Sequence, residues 1–157
     1  MNTTVTVLAM LAAATTAALA QHPAPSDSVF RGVQQRGGRV MGVDQYTSAH
    51  TFAPLEDGGS ITLVRNEADS AGIAQIRQHM REIAGQFAQG NFTAPFLVHA
   101  QQVPGTTVMA QRREHIRYEV MDLPRGAMVR IRTADAAALA AVHEFLAFQR
   151  MDHRAHH

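Results

Sequence analysis

The sequence predicts an α+β fold of ββαββα order: a four-stranded, mostly antiparallel sheet with two helices packed on one face. Three observations carry this expectation. Two stretches, 48–66 and 114–133, alternate apolar and polar residues on either side of a short glycine-containing turn. Two others, 73–87 and 139–148, repeat large apolar residues at helical spacing. The resulting order, strand–strand–helix twice over, suits one layer of sheet under one layer of helix.

The opening "MNTTVTVLAMLAAATTAALA" holds no charged side chain, runs apolar from Val5 to Ala14 and ends in Ala18-Leu19-Ala20. That is a signal-peptide pattern with a small-x-small cleavage site, although its first residues lack the usual Lys or Arg. Cleavage near Ala20 is expected, giving a periplasmic or secreted protein with no membrane span. Residues 21–40 read as a flexible leader, 41–153 as a single α+β domain and 154–157 as a polar tail.

Within the domain, "SAHTFAPLEDGGSITLVRN" reads as two strands around Asp57-Gly58-Gly59, with Ile61 and Leu63 sharing a face. Asp69 or Ser70 caps a helix whose Ile73, Ile76, Met80, Ile83 and Phe87 form one stripe, stopped near Gly90-Asn91. "NFTAPFLVHAQQVPG" reads as a long connection. A second hairpin sets Ile116, Tyr118 and Val120 against the charged His115, Arg117 and Glu119 and turns at Leu123-Pro124-Arg125-Gly126. Thr133 or Asp135 caps a last helix with Leu139, Val142, Phe145, Leu146 and Phe148 on its apolar face. The halves resemble each other weakly: each has a histidine in its first strand (His50, His115) and another on its helix (His79, His143).

Composition excludes much chemistry. The net charge is +1, which makes no case for nucleic acid or an anionic surface. The chain has no Cys, so thiolate nucleophiles, thiolate zinc sites, iron–sulfur clusters and covalent haem are out. All fourteen basic residues are Arg, which excludes lysine Schiff bases and a P-loop lysine. "HEFLA" begins like a zinc-protease helix, but Ala147 stands where the second histidine belongs. "GGSIT" and "RGVQQRGG" lack the spacing of a nucleophile elbow and of a dinucleotide fingerprint.

What remains is histidine. His79 and His143 flank the apolar stripes of their helices and could face each other across the groove between them. His50 alternates with Phe52, and His99 ends the apolar run Phe96-Leu97-Val98. Imidazole is the commonest transition-metal ligand, and thioether with imidazole suits copper. The candidate metal ligands are therefore His50, His79, His99 and His143, with Met151 and His153 assisting from the C-terminal stretch. Each of these histidines equally suits an ordinary hydrogen-bonded boundary position.

The segments "RVMGVDQYTSAHTF", "IRQHMREIAGQFAQGNFTAPFLVHAQQVPG" and "AVHEFLAFQRMDH" resemble a family of small exported bacterial proteins without an established activity. Its members combine a signal peptide, a THxF-like strand, an IRxHL-like helix, a histidine loop before Pro-Gly, and a last helix ending near Asp-His. His50, His79, His99, His143 and His153 fall on those positions. The resemblance implies export and a common fold. Some members carry the label aspartate carbamoyltransferase, but that enzyme's Ser-Thr-Arg-Thr phosphate motif is absent here.

Two function classes lead. One is an exported metal-binding protein, copper foremost, acting as carrier, buffer or sensor. The other is a non-metal module of the cell envelope that binds a small molecule or protein partner. A histidine-dependent hydrolase or isomerase, with Asp44 or Glu82 orienting the ring, stands third.

Overall fold

The structure, a computed structural model, describes residues 26–155. The chain runs α1 (Asp27–Met41), β1 (Ser48–Leu55), β2 (Gly58–Arg65), α2 (Ser70–Ala88), α3 (Thr93–His99), α4 (Thr106–Gln111), a 3-10 turn at Arg113–His115, β3 (Ile116–Leu123), β4 (Gly126–Thr133) and α5 (Ala136–Asp152). The fold is α+β. Its four strands pair antiparallel throughout, in the order β1-β2-β4-β3. The expected signal peptide 1–20 and the last two residues of the expected tail lie outside the described residues. Among the described residues no helix is long and apolar enough to cross a membrane.

Strand alternation decides which side chains reach the core. Phe52, Ile61, Val129 and Val120 line up across the sheet, and the neighbouring row holds His50, Leu63 and Ala127. α2 lies against β2, β3 and β4, and α5 against β1, β2 and β4. Leu63, Ile76, Val129, Ile131, Val142 and Leu146 are fully shielded between them. Each such side chain contributes about 2 kcal/mol when removed from water. Gly59 marks the tightest approach: a Cβ there would overlap the Leu146 side chain.

The weak likeness between the halves has a structural counterpart. Each strand of the second hairpin begins 68 residues after its counterpart in the first (48 and 116; 58 and 126), and all four contain eight residues. Hydrogen bonds repeat the relation. The Arg65 N–H donates to the Arg125 carbonyl at 2.7 Å, and the Thr133 N–H to the Asp57 carbonyl at 2.9 Å. Each helix also grips the other half's hairpin. From α2, Arg77 donates to the carbonyls of Leu123 (2.7 Å) and Gly126 (3.2 Å), which flank the β3–β4 turn. From α5, His143 lies within 2.9 Å of the Leu55 carbonyl and 3.0 Å of the Gly58 carbonyl, which flank the β1–β2 turn. Two carbonyl acceptors require the proton on Nε2, so the His143 tautomer follows from its partners.

Three expectations need correction. Residues 27–40 of the expected flexible leader are helical, as part of α1. Phe30, Val33, Gly37 and Met41 recur at helical spacing, Val33 is fully buried, and Arg36 donates to the Val98 carbonyl at 2.7 Å, fastening α1 to α3. The long connection 91–105 and the residues after it hold two short helices, so the described residues form five α-helices rather than two. Pro95 sits in the first turn of α3, where a missing N–H costs nothing. Gly105, at φ +80°, lets the start of α4 touch α5, where a Cβ would overlap the Ala141 carbonyl. Finally, α5 continues to Asp152, past the expected apolar face that ended at Phe148, and both Asp152 and His153 are buried.

The paired grips make a specific prediction. His143→Ala leaves the β1–β2 turn carbonyls without their donor and destabilises the protein by about 1 kcal/mol in urea denaturation. His143→Arg, which installs the residue type used at the equivalent place in α2, recovers more than half of that loss. Equal losses in the two variants would show that the two grips are not interchangeable.

Candidate functional site

Four of the candidate histidines meet at one place. Strand β1 turns His50 and Phe52 inward on the same face. Helix α2 presents His79 one turn before Ile83, buried on the core side. Helix α3 ends on His99, and the end of α5 delivers Gln149, Asp152 and His153. His50, His79, His99, His153 and Gln149 line a cavity of about 60 Å³, together with apolar side chains that include Phe52, Ile83 and Phe145. This is several times the roughly 10–15 Å³ that one water needs.

The rings are close and ordered. His153 stacks on His50 with centroids 5.0 Å apart and meets His99 edge-on at 5.1 Å. Phe52 closes the group, 5.7 Å from His50 and 5.5 Å from His153. Behind them lies a buried histidine–carboxylate contact. The His99 Nδ1 meets the Asp152 carboxylate, and its Nε2 lies 3.0 Å from the Gln149 side-chain oxygen. The His99 side chain is 1% exposed and that of Asp152 5%. A carboxylate this deep requires a partner, and a negative charge in the last turn of α5 also opposes the helix dipole. The His99 ring answers both demands.

Burial favours the neutral form of His50, His79 and His153. Burial, helped by His79, pushes the His50 imidazole down to about 4. Burial also lowers His79, with Glu82 opposing. His153 is held well below the ordinary histidine range by burial first, then by His50 and His99. The His153 Nδ1 is buried and has no hydrogen-bond partner among the described residues. A neutral imidazole nitrogen facing a cavity offers its lone pair to a cation or a donor.

Two other candidates lie elsewhere. His143 serves the β1–β2 turn and does not face His79 across the helices. Met151 is half-buried and does not line the cavity, whereas Met41 and Met80 do. The carboxylates proposed as orienting partners are also engaged elsewhere: Asp44 accepts from the Tyr46 N–H at 2.8 Å, and Glu82 accepts from Gln78 at 2.8 Å. The carboxylate that does meet a histidine is Asp152, which sequence reasoning passed over together with Gln149. A signal was present. The buried stripe Val142, Phe145/Leu146 continues at spacings of three and four into Gln149 and Asp152/His153, so polar residues occupy core positions. Among the described residues, no three His, Asp or Glu side chains are already gathered tightly enough to hold one metal ion.

No protein-family model, curated protein or solved structure matches the chain.

Two predictions follow from the cluster's charges. His50 has a folded pKa below its unfolded value, so the unfolded chain binds more protons between about 4 and the ordinary histidine value of 6.5. Stability is therefore complete above that window and is lost as pH falls through it. Between pH 7 and 5, His50 alone contributes about 1–2 kcal/mol of this loss, allowing for its partial exposure. His50→Phe, which retains a ring against Phe52 and His153, flattens the acid limb of a stability–pH curve; an unchanged limb would assign the acid sensitivity elsewhere. Removing the buried carboxylate has the opposite character. Asp152→Ala strands His99 and costs about 3 kcal/mol at pH 7, read from denaturant midpoints.

Proposed function

We propose that the histidine-lined cavity is the functional centre and that the protein binds a transition-metal ion there, copper foremost, as an exported carrier, buffer or sensor. The observation that carries this reading is the convergence of four histidines from β1, α2, α3 and the end of α5 on one small cavity. Three of them are held in the neutral form that coordination requires. His50, His79 and His153 would be the primary ligands. His99 would join only by exchanging its contact with Gln149; otherwise the Asp152–His99 pair stands behind the site and orients it, as carboxylates do behind metal-binding imidazoles. Met41 and Met80 bring thioethers to the same cavity, which favours Cu(I) over harder ions. The rings stack at present, so loading requires side-chain rotation about His50 and His153. Export, expected from residues 1–20, belongs to the same proposal.

A second reading rests on the lining itself. Phe52, Ile61, Leu63, Ile83, Phe87 and Phe145 make the cavity mainly apolar, as in sites for small organic molecules. There the neutral imidazoles would serve as hydrogen-bond partners rather than ligands.

Titration of the untagged protein with Cu(I), Cu(II) and Zn(II) separates the two. The metal reading expects stoichiometric binding that is lost in His50→Ala/His153→Ala and retained in His143→Ala and in a chain ending at Ala155. Binding that disappears with residues 156–157 alone, or no binding, would overturn it in favour of the small-molecule reading.

A further inference from the structure

A second concavity lies on the other side of α3, away from the histidines. It opens to solvent between the end of α2, α3 and α4, with a volume of about 480 Å³, within the range of roughly 300–1,000 Å³ typical of small-molecule sites. Its composition differs from the surrounding surface. Among the described residues, no Asp, Glu, Lys, Arg or His lines it. Its side chains are aromatic, amide and hydroxyl: Phe92, Phe96, Asn91, Gln111, Thr93 and Thr107.

The concavity is held open by the fold. Phe92 stacks on Phe87 at 4.6 Å and is thereby anchored to the core. The Asn91 side-chain oxygen accepts from the Thr93 N–H at 3.0 Å, which aims the Asn91 amide nitrogen. On the facing wall, Gln102 donates to the Thr106 hydroxyl at 2.6 Å, and that hydroxyl donates to the Val103 carbonyl at 2.7 Å. Gly90, at φ +75°, allows the end of α2 to close on α4, where a Cβ would stand 3.3 Å from Ala110. Phe96 is left 48% exposed at the rim.

We infer that this groove binds a neutral carbohydrate. Three chemical requirements converge on it. A pyranose has one face of C–H groups, weakly positive, which suits the negative face of an exposed aromatic ring such as Phe96. Its vicinal hydroxyls both donate and accept, and so do carboxamides and threonine hydroxyls, whereas a charged group would match only one role. A charged ligand would call for a countercharge, which the groove lacks. An apolar ligand would leave the amides and hydroxyls unmatched on burial. The inference is independent of the metal reading, since none of its residues lines the histidine cavity.

The test is an amide chemical-shift titration of the ¹⁵N-labelled chain with maltose, cellobiose and N,N′-diacetylchitobiose, with galacturonic acid as the charged comparison. At least one neutral disaccharide should give saturable shifts confined to residues 90–111, with a Kd of roughly millimolar order. Phe96→Ala and Gln111→Ala, both at exposed positions, should each weaken binding roughly tenfold while leaving the remaining spectrum unchanged. His50→Phe should bind the sugar as the parent does. Galacturonic acid should bind no tighter than the neutral sugars. Absence of saturable shifts with all three disaccharides, shifts that ignore both groove variants, or concentration-dependent self-association through Phe96 without sugar would each overturn the proposal.

Discussion

A buried carboxylate at the C-terminal end of a helix is in the wrong place twice over. Asp152 is removed from water and faces the negative end of the α5 dipole. Its pairing with His99 resolves both difficulties, and much of the surrounding structure is arranged to bring His99 there. Helix α3 must end where α5 ends. Helix α1 then rests against α3 and is tied by Arg36 to the Val98 carbonyl, next to the paired histidine. The chain after α5 folds back as well: Arg154 reaches Asp27 at 2.8 Å and lies over the Phe30 ring at 4.6 Å. The His99–Asp152 contact and these two arginine contacts together tie the ends of the described chain to one another and to α3.

The same contact creates the cavity. With α3 and α5 held at their ends and β1 beneath, His153 is brought between His50 and His99 instead of reaching solvent. Burial disfavours the charged forms of His50, His79 and His153, and neighbouring histidines add to this at His50 and His153, so these three rings are held below the ordinary histidine range. Imidazoles, the thioethers of Met41 and Met80, and a His153 nitrogen with no hydrogen-bond partner among the described residues are what the proposed metal binding rests on. The groove on the far side of α3 shows how differently the same short helix can be used. One end contributes His99 to a buried, titratable cluster, and its other surface offers Phe96 to an open, uncharged one.

The pseudo-twofold relation between the halves clarifies which histidines carry chemistry. His143 and Arg77 occupy equivalent places and do equivalent work, each donating to the two carbonyls beside the opposite hairpin. His50, by contrast, corresponds in the repeated register to Tyr118, whose buried hydroxyl has no hydrogen-bond partner among the described residues and is pushed up by burial. One histidine therefore belongs to the symmetric scaffold. The cluster belongs to the departure from symmetry, where α3 and the end of α5 are inserted on one side only.

Local periodicity alone determined the α+β class, both hairpins, α2 and the body of α5, because alternation and three–four spacing are properties of neighbouring residues. It also brought His50, His79, His99 and His153 forward as candidates, since few other residue types here carry chemistry. It could not reveal α1, whose stripe of Phe30, Val33, Gly37 and Met41 is diluted by glycines and becomes helical through packing on α3. Nor could it separate His143 from the cluster or join Asp152 to His99, a pairing across 53 residues. Such pairings depend on where helix ends meet in space. Only the tertiary structure decides that, because the free energy of burying a charge is set by the partner that arrives and not by the residues beside it in the chain.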